Sequence, residues 1–199
     1  MSTRPDRHDD PARPVVPGGP SPVDLHTHTL RSDGTLEPGD LVAQAAAAGV
    51  HLLAITDHDN LAAYRELTGP DAPALPAGLE LLPGVEINCL TGGAPEVFEG
   101  ELHILGFGIQ PDDAAFEELL ATQRQGRRIR FDRTLGVLRN LGMSVDVAAE
   151  RLDLGAIESL GRPTVARLMI ESGYATSVEG AFERQHLAIP ADRDLDGRL

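Results

Sequence analysis

No lysine occurs among the 199 residues; all 17 basic side chains are arginines. That absence removes Schiff-base catalysis, pyridoxal phosphate attachment and the P-loop lysine together. No Gly-x-Ser-x-Gly turn is present to serve a serine hydrolase. The single cysteine, Cys89, cannot form an internal disulfide, which makes a reducing cytoplasm the expected location. As a nucleophile Cys89 has little support, since nothing in the sequence announces its activation. No apolar run reaches membrane-spanning length and the N-terminus lacks the apolar core of a signal peptide, so no membrane association is expected. Positive charge is scarce: the formal net charge of -14 argues against an extended nucleic-acid surface. A small anionic substrate is still admissible, because bound cations supply positive charge locally. Demanding chemistry is left to histidine and carboxylate, the side chains of metal sites.

Residues 1 to about 20 are rich in Pro, Gly and charge and read as a disordered tail, with His8 given no role. Pro22 to His26 reads as a short strand running into a polar loop through Gly34. Pro38 suits the first turn of a helix that continues through the alanine-rich segment to Ala48, with Gly49 as its stop. Val50 to Thr56 is an apolar run of strand length, as expected of a buried parallel strand. It ends in Asp57-His58-Asp59, and a helix through about Leu67 follows. Leu79 to Ile87 reads as a third strand, with Pro83 and Gly84 suggesting a bulge. Glu101 to Ile109 reads as a fourth strand, and Asn88 to Gly100 as a surface loop between them. From Pro111 the pattern turns helical, with shorter helices near 145–152, 163–172 and 177–186. Residues 191–199 read as a frayed tail.

His26 and His28 lie two apart at the end of a strand, so both side chains leave on one face. Two imidazoles so placed can grip one cation. Asp33 follows in the loop after the same strand, His58 ends the second strand, Glu86 ends the third, and His103 lies on the fourth. In a parallel α/β barrel such strand ends converge on one rim, where an active site is built. Imidazoles mixed with carboxylates suit manganese, zinc or iron. His51, in an apolar strand, and His186, near a helix end, read as structural.

Five segments occur in the order and approximate spacing of the PHP (polymerase and histidinol phosphatase) superfamily. They are Asp24-Leu25-His26-Thr27-His28, Ser32-Asp33-Gly34, Thr56-Asp57-His58-Asp59, Pro83-Gly84-Val85-Glu86-Ile87 and Leu102-His103-Ile104-Leu105-Gly106. They resemble most the small bacterial phosphoesterases of that family, which act on nucleoside bisphosphates and short RNA 5′ ends. The resemblance implies a mixed α/β fold. Residues 21–110 would form the N-terminal part of a distorted (βα)7 TIM-like barrel, and residues 111–190 a helical insertion. It also implies up to three divalent metals: one on His26 and His28, a second shared through Glu86 with His103, and a third on Asp33 and His58. The implied chemistry is phosphoester hydrolysis by a metal-activated hydroxide on a small phosphorylated nucleotide or short RNA. Asp57 and Asp59 are better cast as groups that fix the loop than as ligands.

Gly161-Arg162-Pro163-Thr164 resembles a Gly-Arg-Pro-His segment of the insertion, whose arginine faces substrate phosphate; Thr164 stands where the family has histidine. Arg162 is therefore a candidate phosphate partner, with a surface residue beside a helix start as the alternative. The arginines from Arg124 to Arg139 spread over more than one helix face and read as a solvated surface. After His103 only His186 remains, whereas the family draws further histidine and Asp-x-His ligands from later strands. The expectation is a C-terminally truncated, incomplete barrel with an open sheet edge that offers a route to self-association. Two function classes stay open: a metal-dependent phosphoesterase, or an impaired remnant that at most binds metal. An amidohydrolase-like barrel is a third option that shares only the His-x-His device.

Overall fold

The computed structural model describes residues 22–90, 101–152, 154–155 and 157–183. The two expected tails, His8, His186 and most of the expected loop before β4 lie outside the described residues. The elements are β1 (Val23–Thr27), α1 (Pro38–Ala47), β2 (Leu52–Ile55), α2 (Ala62–Thr68), β3 (Glu80–Leu90) and β4 (Glu101–Phe107). A helical block follows: α3 (Ala114–Asn140), α4 (Asp146–Arg151), α5 (Arg162–Glu171) and α6 (Val178–Glu183). The result is a mixed α/β fold whose sheet curls as half a barrel.

The strands lie in the order β1-β2-β3-β4. β1, β2 and β3 run parallel, because α1 and α2 return the chain between them. β2 is covered on both sides, with Leu53, Ala54 and Ile55 all buried, which is why it reads as an unbroken apolar run. α1 begins with Pro38 in its first turn and ends before Gly49, whose φ of 83° a side chain would resist. Val42 of α1 and Ala63 and Leu67 of α2 close over Leu53, Ile55 and Leu81 as one core.

β4 departs from the parallel expectation: it runs antiparallel to β3, pairing Asn88 with His103 and Gly84 with Phe107. The start of β4 therefore lies beside the end of β3, and His103 reaches the same rim by the opposite strand direction. β3 also carries no bulge at Pro83 and Gly84, contrary to the sequence reading. Pro83 is the last residue paired to β2 and Gly84 the first paired to β4, so the missing proline N–H falls where pairing changes partner. Gly84 is needed for close approach: a Cβ there would lie 2.9 Å from the Thr56 methyl and 3.1 Å from the Ile55 carbonyl oxygen. The register irregularity instead lies between β1 and β2, from Asp24 to Thr27. Asn88, Cys89 and Leu90, expected in a loop, extend β3.

The helical block has its own core, built from Phe131, Leu135 and Leu138 of α3, Val145, and Val165, Leu168 and Met169 of α5. Asp113 caps α3 by accepting from the Ala115 and Phe116 amides. Leu120 of α3 meets Leu61 and Val85, and so joins block to sheet. Among the described residues no helix is long and apolar enough to cross a membrane.

Candidate metal centre

Three strands and the loops after β1 and β2 supply the candidate donors at one rim of the sheet. The loop after β1 folds tightly back on itself: the Gly34 amide donates to the Thr29 carbonyl at 2.9 Å. A Cβ on Gly34 would sit 2.2 Å from the His28 carbonyl oxygen, so only glycine closes this turn. Asp57 then holds the loop from the neighbouring strand end. Its buried carboxylate accepts from the Thr29 amide at 2.7 Å and from the Thr29 and Ser32 hydroxyls at 2.6 Å each. That is the loop-fixing part expected of Asp57.

The loop after β2 is pinned to β3. His58 bridges Glu86, the Asp59 amide donates to the Glu86 carbonyl at 3.0 Å, and the Glu86 amide donates to the Asp57 carbonyl at 3.3 Å. Asp59 itself adopts a positive φ of 52°, a left-handed conformation that aspartate tolerates better than most residues.

Around this frame the structure brings together all six residues expected from sequence. Glu86, almost fully buried, stands at the centre. His26 Nε2 lies 2.9 Å and His28 Nε2 3.1 Å from Glu86 Oε2, and His103 Nδ1 contacts Glu86 Oε1. His58 Nε2 lies 3.3 Å from Asp33 Oδ2, while His28 Nδ1 lies 3.4 Å from Asp33 Oδ1. The donors fall into three overlapping groups: His26, His28 and Glu86; His28, Asp33 and His58; His58, Glu86 and His103. Within each group the donor atoms lie within 4.8 Å of one another. Arg162 is the exposed first residue of α5.

The electrostatics fit cations. Burial alone would push Asp33 up, but the hydrogen bond with His58 and the charges of His58, His28 and Arg127 bring it down to about 2. Burial likewise opposes ionisation of Glu86, and it is outweighed by the His26 hydrogen bond, His58, the His103 hydrogen bond and His28. Burial pushes His28 down from its ordinary value, favouring the neutral imidazole that binds metals. The Nδ1 atoms of His28 and His58 are buried without a hydrogen-bond partner. An orphaned imidazole nitrogen is costly, and a cation beside it would satisfy it. The donor set, imidazole mixed with carboxylate, is therefore chemically suited to divalent metal ions.

Three arginines reach the loops of the site, against the sequence expectation of a solvated surface for Arg124 and Arg127 and of no role for Arg167. Arg127, expected on a solvated helix face, is buried and donates from Nε to Asp59 Oδ2 at 2.5 Å. Arg124 donates to the Asp59 carbonyl at 2.9 Å and to Glu117. Arg167 donates to the Gly34 and Asp33 carbonyls at 3.0 and 2.9 Å. A signal existed for the first of these: Leu120, Arg127, Phe131, Thr134, Leu135 and Leu138 form the buried stripe of α3, and Arg127 falls on it by helical spacing.

A model of the PHP domain family matches residues 24–154. The chain belongs to the PHP domain family. Among its PHP relatives, a 3′,5′-nucleoside bisphosphate phosphatase of Chromobacterium violaceum is 32% identical over 170 residues, covering 81% of this chain and 54% of that protein. The 5′-3′ exoribonuclease Rnm of Escherichia coli is 36% identical over 166 residues, covering 81% and 52%. The structure of an amidohydrolase from Chromobacterium violaceum, with bound sulfate and no metal, superposes with a TM-score of 0.67 at 30% identity, covering 81% of this chain and 54% of that one. A Bifidobacterium adolescentis protein assigned as a metal-dependent phosphoesterase superposes with a TM-score of 0.66 at 29% identity, covering 85% and 55%. The chain spans about half the length of the curated relatives it matches.

Proposed function

We propose that this PHP chain carries a metal site for phosphoester hydrolysis, with nucleoside 3′,5′-bisphosphates or short RNA 5′ ends as the substrate class. The observation that carries the reading is Glu86, a buried carboxylate ringed by His26, His28, His58 and His103, with Asp33 beside His28 and His58. Two of the imidazole nitrogens at this site, the Nδ1 atoms of His28 and His58, are buried without a hydrogen-bond partner, which a bound cation would remedy.

In this reading His26 and His28 would hold one divalent ion, His103 a second with Glu86 shared between the two, and Asp33 and His58 a third. The metal is manganese, zinc or iron. Bound there, divalent cations would activate a water and neutralise phosphate charge. The chain's own residues do the rest. Glu86 and Asp33 stay ionised and hold positive charge at the rim, and Asp57 keeps the Thr29–Gly34 loop closed so that Asp33 faces His58. Arg162 pairs with a substrate phosphate through its planar guanidinium. The finer architecture in this reading is part of a (βα)7 barrel. The named activities of the phosphatase and the exoribonuclease support the substrate class.

The test is metal content by mass spectrometry together with phosphate release from a nucleoside 3′,5′-bisphosphate, for wild type and His26→Ala. Stoichiometric metal with turnover that His26→Ala abolishes is the expected result. Metal without turnover would reduce the reading for this chain to metal binding, and absence of both would overturn it.

A further inference from the structure

The His28–Asp33–His58 group differs from the other two in how it is supported. Asp33 and His58 stand on loops, whereas His26, Glu86 and His103 project from strands. Three buried or half-buried arginines of the helical block end on those two loops. From α5, Arg167 places Nη1 on the Gly34 carbonyl and Nη2 on the Asp33 carbonyl, so one planar fork spans the peptide unit that carries Asp33. From α3, Arg127 grips the Asp59 carboxylate and Arg124 the Asp59 carbonyl, immediately after His58. A third tie joins the same loops: the Ser159 amide and the Asn60 side chain both donate to the Arg31 carbonyl.

The energetics point to geometry rather than to stability. Arg127 takes a position on the apolar stripe of α3, where burying an ion pair is often no better than a well-packed apolar side chain. Its pairing is also incomplete, because Arg127 Nη2 and Asp59 Oδ1 are buried without hydrogen-bond partners. What the pair does achieve is to hold Asp59 in the left-handed region, the one non-glycine with positive φ among the described residues. Such a conformation is unfavourable by itself and persists where surroundings fix it. With Asp59 fixed, the direction in which the preceding His58 leaves the chain is fixed too.

We propose that Arg127 and Arg167 are positioning residues for the His28–Asp33–His58 group, so that the helical block sets how tightly this group holds a divalent cation. The inference rests on the metal reading above. It carries a sign that a purely electrostatic part would reverse. Two guanidinium charges near a cation site repel the cation, so removing one would tighten binding if charge were all that mattered. If geometry dominates, removal loosens it.

The experiment is equilibrium dialysis of the metal-free full chain against zinc, with wild type, Arg167→Met, Arg167→Lys, Arg127→Met and Arg127→Lys. Circular dichroism of each metal-free variant reports folding; should Arg127→Met fail to fold, Arg167→Met and the two lysine variants carry the test. Arg167→Met is expected to weaken one zinc by about 10–100-fold, the range for groups that orient a ligand. Arg167→Lys is expected to follow it, since lysine keeps the charge but not the fork. In an Asp33→Asn background Arg167→Met should add nothing, whereas in a His26→Ala background it should keep its full effect. Unchanged or tighter zinc binding in Arg167→Met, or the same loss in both backgrounds, overturns the inference while leaving the metal reading intact. A wild-type chain that binds no zinc, manganese or iron overturns both.

Discussion

His58 Nε2 lies 3.3 Å from Asp33 Oδ2, joining loops that leave two adjacent parallel strands. The pair depends on two separate restraints. The Asp57 carboxylate closes the first loop from the second, and the β3 backbone pins the second. Disturbing either restraint should therefore be felt as a change in metal binding as well as in stability.

Glu86→Gln should be the most damaging single ligand change. Glu86 belongs to two of the three donor groups, as His28 and His58 do, but of these three it alone brings a negative charge, which glutamine removes while keeping the shape. Zinc or manganese affinity should drop by more than about 100-fold at those groups. His26→Ala, which touches one group, should lose less. Thermal unfolding with and without metal reads the difference, because ligand at 100 times its Kd raises wild-type stability by about 2.7 kcal/mol.

Asp33 predicts an acid-sensitive contribution to the stability of the metal-free chain. Its carboxyl titrates at about 2 in the fold against an ordinary 3.8. A folded-state value below the unfolded one stabilises above the unfolded value, and that stabilisation disappears as pH falls through the folded value. Wild type should exceed Asp33→Asn by about 2 kcal/mol near pH 5. The gap should close between about pH 4 and pH 2. Urea melts at stepped pH check this; a gap that does not depend on pH would contradict it.

Gly34→Ala should damage the site through the backbone. The added methyl would sit 2.2 Å from the His28 carbonyl oxygen, so the turn must open. A cost of about 3 kcal/mol is expected in urea unfolding. Displacement of Asp33 should also weaken zinc at the His28–Asp33–His58 group. Gly39→Ala, where a Cβ meets nothing within 4 Å, is the control.

Arg162→Ala separates substrate binding from metal binding. If Arg162 meets a phosphate, KM for a nucleoside 3′,5′-bisphosphate should rise by about tenfold or more, as for loss of a charge-assisted hydrogen bond. Bound metal per chain should stay unchanged. An unaltered KM would return Arg162 to the surface.

The legible parts of this fold are those with short-range causes. Pro38 and Gly49 bracket α1 through their own backbone preferences, and the continuous apolar run of β2 reports burial on both faces. His26 and His28 share a face because strand side chains alternate. Pro83 and Gly84 misled, because their meaning lay in a partner switch between two neighbouring strands. Arg127 is charged yet lies on the buried stripe of α3, where helical position outweighs charge.

The sequence by itself determined which six side chains gather, since His-x-His, Ser-Asp-Gly, Asp-His-Asp, the Glu86 segment and the His103 segment each place an imidazole or carboxylate on a strand or in the loop that follows one. Only the tertiary structure decided how they meet. The antiparallel run of β4 brings His103 to Glu86, and the arginines of α3 and α5 reach back to the loops of Asp33 and His58. The physical reason is range: helix and strand periodicity is written in neighbours a few residues apart. Strand direction and a buried arginine's partner are settled by contacts between segments far apart in the chain.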